Sequence, residues 1–201
     1  MSIRSLALAS LIIVAAAFPG AAETKKGEPA EPPQEWTEFH YAERGFVISF
    51  PGTTTQPKAV STPVSGQNPL LQHEYQVNVE DDTVYSVVVF EYPEGKAPRP
   101  PGVDYYGKVV NAYAKGSATN VRKKGAKTID RRPGYEAKAE DGRGKLNHLI
   151  EVVGNGDRVY MLVTAGPKGH ADSDAAERFS ESFRLLGGPP PVKSSENSPG
   201  G

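Results

Sequence analysis

Seven consecutive residues, Val84-Tyr85-Ser86-Val87-Val88-Val89-Phe90, are β-branched or aromatic at every position but Ser86. Branching at Cβ restricts χ1 in a helix but packs well on a pleated surface, so the run predicts a central strand over Val84–Tyr92. Leu71–Val79 predicts its neighbour, with Glu80-Asp81-Asp82-Thr83 as the hairpin loop. Upstream, Thr37–Tyr41 and Phe46–Phe50 read as short strands about a turn at Glu43-Arg44-Gly45. In the second of these, Phe46, Ile48 and Phe50 share one face by the two-residue period, and Val47 and Ser49 the other. Pro51-Gly52 stops it. Residues 58–64 can pair at a sheet edge, where Pro63 is tolerated.

Beyond the proline-rich loop Pro93–Gly102, the spacing predicts a helix over Val103–Lys115, with Val103, Tyr106, Val110 and Tyr113 on one face and Gly116 as its stop. Four more strands follow at residues 121–129, 134–140, 145–153 and 158–165. Turns at Arg131-Arg132-Pro133-Gly134, Glu140-Asp141-Gly142-Arg143-Gly144 and Gly154-Asn155-Gly156-Asp157 separate them. A last helix is predicted over Asp174–Leu185, with Asp174 and Glu177 imitating a capping box and Phe179, Phe183 and Leu186 as its buried stripe. The fold class is α+β: an antiparallel β-sheet of about six to eight strands flanked by two main helices.

The N-terminus has a different character. Arg4 precedes an uncharged apolar run from Leu6 to Phe18, and Gly20-Ala21-Ala22 supplies small residues for cleavage, so residues 1–22 read as a signal peptide cut after Ala22, or earlier after Ala17. The run of 13 residues is shorter than the roughly 20 needed to span a bilayer. Residues 23–35 read as a flexible leader, 36–187 as one α+β domain and 188–201 as a Pro/Gly/Ser tail. The expected location is the periplasm or the medium. With Arg4 removed, 22 basic residues face 24 acidic ones, a near balance that argues against a nucleic-acid partner. There is no cysteine, which excludes disulfides, thiol chemistry and a lipoprotein anchor.

Three phrases carry a resemblance. They are Gly45-Phe46-Val47-Ile48-Ser49-Phe50-Pro51-Gly52, Arg158-Val159-Tyr160-Met161-Leu162-Val163-Thr164 with Gly166-Pro167, and the closing segment Ala176–Leu186 with its Phe179-x-x-Ser182-Phe183 pattern. Together they bracket residues 36–187, and the chain resembles the Mog/PsbP-like α/β/α sandwich family, which includes bacterial secreted domains of unknown function. The resemblance implies an accessory, scaffold or binding role. It brings no shared catalytic signature, and no functional residue is carried over from it.

The residues themselves offer few candidate sites. His40, His73, His148 and His170 show no zinc-like spacing, so no metal and no cofactor is expected. No G-x-S-x-G elbow is present, and a hydrolytic triad would have to be assembled in space. Asp81-Asp82 and Glu140-Asp141 read as solvated loop tips. The sharpest local feature is basic: Arg122, Lys123, Lys124, Lys127, Arg131 and Arg132 fall within eleven residues. On a strand, Arg122 and Lys124 would share one face and Lys123 and Lys127 the other. The cluster suits contact with an anionic partner, and it better suits an edge strand whose lysines block edge-to-edge pairing. Tyr105 is expected to project sideways from the first helix as a possible partner anchor. Trp36, the one tryptophan, is placed to pin the leader to the sheet.

These readings point to an exported, non-enzymatic accessory or binding domain with an envelope protein or other macromolecular partner, no nucleic acid and no membrane anchor. Two alternatives stay open. One is a small-ligand-binding protein with a pocket between sheet and helix, and the other a hydrolase with a nucleophile and base within hydrogen-bond reach. Oligomeric state is not legible.

Overall fold

Tyr85, Val87 and Val89 project into one apolar cluster and Val88 and Phe90 into another, so the strand that carries them is buried on both faces. This explains its unbroken apolar run. The computed structural model describes residues 35–64, 70–79, 82–97 and 102–187. The signal-peptide reading, most of the leader, the tail and parts of the loops at 65–69, 80–81 and 98–101 lie outside the described residues.

The strands are β1 (Trp36–Tyr41), β2 (Phe46–Pro51), β3 (Val60–Val64), β4 (Leu70–Val79), β5 (Thr83–Glu91), β6 (Thr119–Ile129), β7 (Arg132–Asp141), β8 (Leu146–Asn155), β9 (Arg158–Pro167) and β10 (Arg184–Leu185). The helices are α1 (Val103–Gly116) and α2 (Asp174–Ser182). A seven-stranded antiparallel sheet runs β3-β4-β5-β9-β8-β7-β6, and a second sheet runs β1-β2-β10. Tyr106, Val110 and Tyr113 of α1 pack on Ile150, Val152, Met161 and Val163 on one face of the large sheet. On the other face, Phe46, Ile48 and Phe50 of β2 join Phe179 of α2 against Tyr85, Tyr160 and Leu162. Helix, sheet, then a mixed layer of helix and small sheet give the α+β sandwich expected from the sequence, with edge strand β3 and its Pro63 where predicted.

Several local expectations need correction. The hairpin between β6 and β7 turns on Asp130-Arg131, both left-handed at φ 42° and 63°, while Arg132 to Gly134 already belong to β7. Two residues with positive φ match the strand twist of a tight hairpin, and Asp130 tolerates that region. Gly134 serves another end there: a Cβ would lie 2.7 Å from Ile129 Cδ1 and 2.8 Å from the Val152 carbonyl oxygen. Helix α1 runs through Gly116, and Ala118, at φ 53°, makes the left-handed exit instead. Val103 is exposed, although Tyr106, Val110 and Tyr113 of the same stripe are buried.

At the last helix the cap is Ser173, whose Oγ accepts from the Ala176 N–H, rather than Asp174. The helix ends at Ser182 and the chain passes into β10, which pairs with β2. The period therefore changes from 3.6 to 2, so Phe183 and Leu185 are buried and Leu186 is turned out.

Candidate functional site

Strand β6 is an edge of the large sheet, which places the basic cluster where the sequence suggested. The strand does not keep a simple alternation. A register shift between Val121 and Lys123 turns Arg122 toward Glu140, with Arg122 Nε donating to Glu140 Oε2 at 2.7 Å. Lys123 pairs across to Lys138, two residues before Glu140, so Arg122 joins the face of Lys123 and Lys127 rather than that of Lys124. The inserted residue cancels the two-residue period on which the expected faces rested.

The six cations then divide by environment. Lys127 Nζ reaches Glu136 at 2.7 Å and also the buried Glu151. Ser180 of α2 donates to Glu151 Oε2 at 2.5 Å, so Lys127 helps lock β6, β7, β8 and α2 together. Arg131 lies 3.8 Å from Asp130 at the exposed turn, and Arg132 is half-buried. Lys123 and Lys124 are exposed and hold no ion pair among the described residues, although Lys123 contributes to lowering the Asp172 pKa. Tyr105 is half-buried and its hydroxyl is engaged with Tyr92, so it is not a freely projecting ring. Trp36 stacks edge-on against Tyr85 at 5.6 Å, with the Arg178 guanidinium 4.9 Å from its ring centre.

A second polar constellation lies at the opposite edge. Ser61 on β3 sits directly across from His73 on β4, and Ser61 Oγ lies 2.8 Å from His73 Nδ1. His73 Nε2 lies 3.2 Å from Glu91 Oε2 on β5. Arg158 of β9, paired with Glu91, donates to Glu91 Oε1 through Nε at 3.0 Å and Nη2 at 2.7 Å. Arg44 Nη1 stands 3.5 Å from Glu91 Oε2. The row crosses four adjacent strands beneath the turn Ala42–Arg44, where the Tyr160 hydroxyl donates to the Arg44 carbonyl. Gly45 makes this close approach possible: its φ is 73°, and a Cβ there would lie 3.2 Å from both Arg158 Nη1 and Tyr160 Oη.

Burial pushes the Glu91 pKa up, but hydrogen bonds and charge from Arg158, with Arg44 behind, outweigh it and hold the carboxyl below its usual range. Burial, and then the charge of Arg44, lower the His73 pKa against the pull of Glu91. Glu91 and Arg158 also line a cleft of about 330 Å³ with Tyr92, Glu94, Asn155 and Asp157 at the end of the sheet. This cleft is polar and does not lie between sheet and helix.

Sequence reading missed this row. His73 was visible as a histidine and 58–64 as an edge segment, but the Ser61–His73 register depends on the β3–β4 pairing, which no motif encodes. Among the described residues, no group of three or more His, Asp or Glu side chains is arranged to hold a metal ion.

His148 has a structural role. Its Nδ1 lies 2.8 Å from the Tyr113 hydroxyl of α1, its Nε2 is buried without a hydrogen-bond partner among the described residues, and burial lowers its pKa to about 4. A histidine whose pKa falls on folding binds its proton more weakly in the native state than in the unfolded chain. Its contribution is therefore complete above pH 6.5, the ordinary value, and is lost as pH falls toward 4. The expected loss over that window is roughly 3 kcal/mol, with His73 and His170 adding in the same direction. Urea unfolding of wild type and His148→Gln at a series of pH values checks this: the variant should show a shallower fall, and an unchanged slope would refute it.

No family model and no curated protein matches the sequence. Among solved structures, the chain is similar to cyanobacterial PsbP (CyanoP) from Synechocystis sp. at 15% identity and a TM-score of 0.50, covering 80% of this chain and 98% of that one. It also aligns with LpqN, involved in cell envelope biogenesis of Mycobacterium tuberculosis, at 14% identity and a TM-score of 0.41, covering 78% of this chain and 93% of that one. The likeness to CyanoP is one of fold, and the fold of this chain is PsbP-like.

Proposed function

We propose that this chain is an exported accessory domain of the cell envelope that binds a protein or other macromolecule bearing an acidic surface. One observation carries the reading: Lys123 and Lys124 stand exposed and hold no ion pair among the described residues, on a bulged edge strand whose neighbouring cations, Arg122 and Lys127, are already matched by carboxylates. Two exposed ammonium groups on a rigid strand raise the local potential and steer an acidic partner, while the matched cations hold the strand in shape. Residues 1–22 supply the export address in this reading. No helix among the described residues is long and apolar enough to cross a membrane.

The test is crosslinking in living cells followed by capture of the tagged chain from envelope fractions. A dominant partner should be retained by the wild type and lost from Lys123→Glu/Lys124→Glu. That variant leaves the Arg122–Glu140 and Lys127–Glu136 pairs intact, so its fold should be unchanged by circular dichroism. Recovery of the chain alone, or equal capture by the folded variant, rejects the proposal.

A further inference from the structure

The edge opposite β6 carries chemistry that the binding role does not use. We propose that Ser61 is an activated nucleophile that accepts an acyl group from an ester, with His73 as its base and Glu91 orienting that base. The assignment follows from hydrogen-bond logic. Glu91 is ionised and can only accept, and a neutral imidazole carries one N–H. His73 Nε2–H must then donate to Glu91 Oε2, which leaves Nδ1 as an acceptor facing the Ser61 hydroxyl at 2.8 Å. Ser61 Oγ–H donates to that nitrogen. Serine, neutral histidine and oriented carboxylate stand in the relation that nucleophilic catalysis requires, with the two ring nitrogens in exchanged roles relative to the common triad.

Two placements make the group usable. Ser61 is exposed on an edge strand, so an ester can approach it, whereas His73 is only 1% exposed. The groups facing His73 are Ser61 from β3, Glu91 from β5, Arg158 from β9 and Arg44 from the turn before β2. Arg158 and Arg44 keep Glu91 charged, and burial together with the charge of Arg44 keeps the imidazole neutral. In the reaction, Ser61 Oγ forms a bond to the ester carbonyl carbon as its proton passes to His73 Nδ1. The C–O bond to the leaving alcohol breaks, and that oxygen takes the proton back from Nδ1. The product of this step is an acyl-serine, one per molecule.

The probe is p-nitrophenyl acetate with the full chain, read as a burst of nitrophenolate and by peptide mapping. The expected result is one acetyl group per molecule on the peptide containing Ser61. Labelling at that peptide should be absent in Ser61→Ala. General-base assistance of this kind contributes about 10²–10⁴-fold, so the urea-unfolded chain should label at Ser61 at least ~100-fold more slowly. A pH profile gives a second readout that needs no change at buried His73. The rate should level off near or below pH 6.5, the ordinary imidazole pKa, whereas hydroxide-driven acetylation keeps rising. Acetylation confined to lysines, equal labelling of folded and unfolded chains, or a rate that climbs without a plateau would each overturn the proposal. Hydrogen bonds that merely tie β3 to the sheet would produce those negative results and only a small loss of stability in Ser61→Ala.

Discussion

Phe46→Ala is expected to lower the unfolding free energy by about 3–5 kcal/mol. Phe46 is fully buried, and its ring lies 4.7 Å from that of Tyr41, 5.5 Å from Tyr75, 5.9 Å from Phe183 and 6.0 Å from Tyr160. Those rings come from the small sheet, from two strands of the large sheet and from the segment after α2. The cavity left by alanine would thus open at the junction of two layers, where neighbours held on separate elements cannot collapse together. The loss would take a large share of a total stability that is usually about 5–15 kcal/mol. A shift in the urea midpoint equivalent to less than about 1 kcal/mol would show that the layers are not coupled through this ring.

Lys127→Met should cost about 2–3 kcal/mol near neutral pH, less than for a fully buried pair because Lys127 is partly exposed, since it leaves the Glu151 carboxylate buried with Ser180 as its close donor. Glu151 is 1% exposed but the Lys127 side chain is 36% exposed, so water entering where the ammonium stood offsets only part of the loss. The double variant Lys127→Met/Glu151→Leu should recover most of the loss, since removing both charges also removes the desolvation cost. Urea unfolding of the four proteins in this cycle measures the coupling directly. Additive losses in the double variant would mean that Lys127 acts through packing of its alkyl chain instead. The result bears on the proposed function, because it separates the cation that holds β6 in place from the exposed Lys123 and Lys124.

The contrast between those lysines marks how far the sequence could be read. Strand β5 was legible because burial on both faces demands an uninterrupted apolar run, and the Gly156-Asp157 turn was legible because Gly156 takes a φ of 63°. The turn at Asp130-Arg131 was hidden behind Pro133-Gly134, whose usual turn chemistry is overridden here by strand pairing and by the closeness of Ile129 to Gly134. The end of α2 was misplaced because Phe179 and Phe183 fit a helical stripe, while pairing of Arg184 and Leu185 with β2 draws the chain out of the helix. A bulge has no compositional signature at Arg122, so the faces of the basic strand could not be assigned from spacing.

Local preference and hydrophobic period thus determined, from the sequence alone, both helices and every strand but β10, the α+β class, the edge position of residues 58–64 and the presence of a basic strand. The tertiary structure decided which side chains meet. Ser61, His73, Glu91 and Arg158 are spread over almost a hundred positions of the chain and come together only through the registers β3–β4, β4–β5 and β5–β9. Lys127 and Glu151 meet only because β7 lies between their strands. Periodicity reports the face on which a residue lies, whereas register sets its neighbour across the strand, and register is fixed by the packing of the whole sheet.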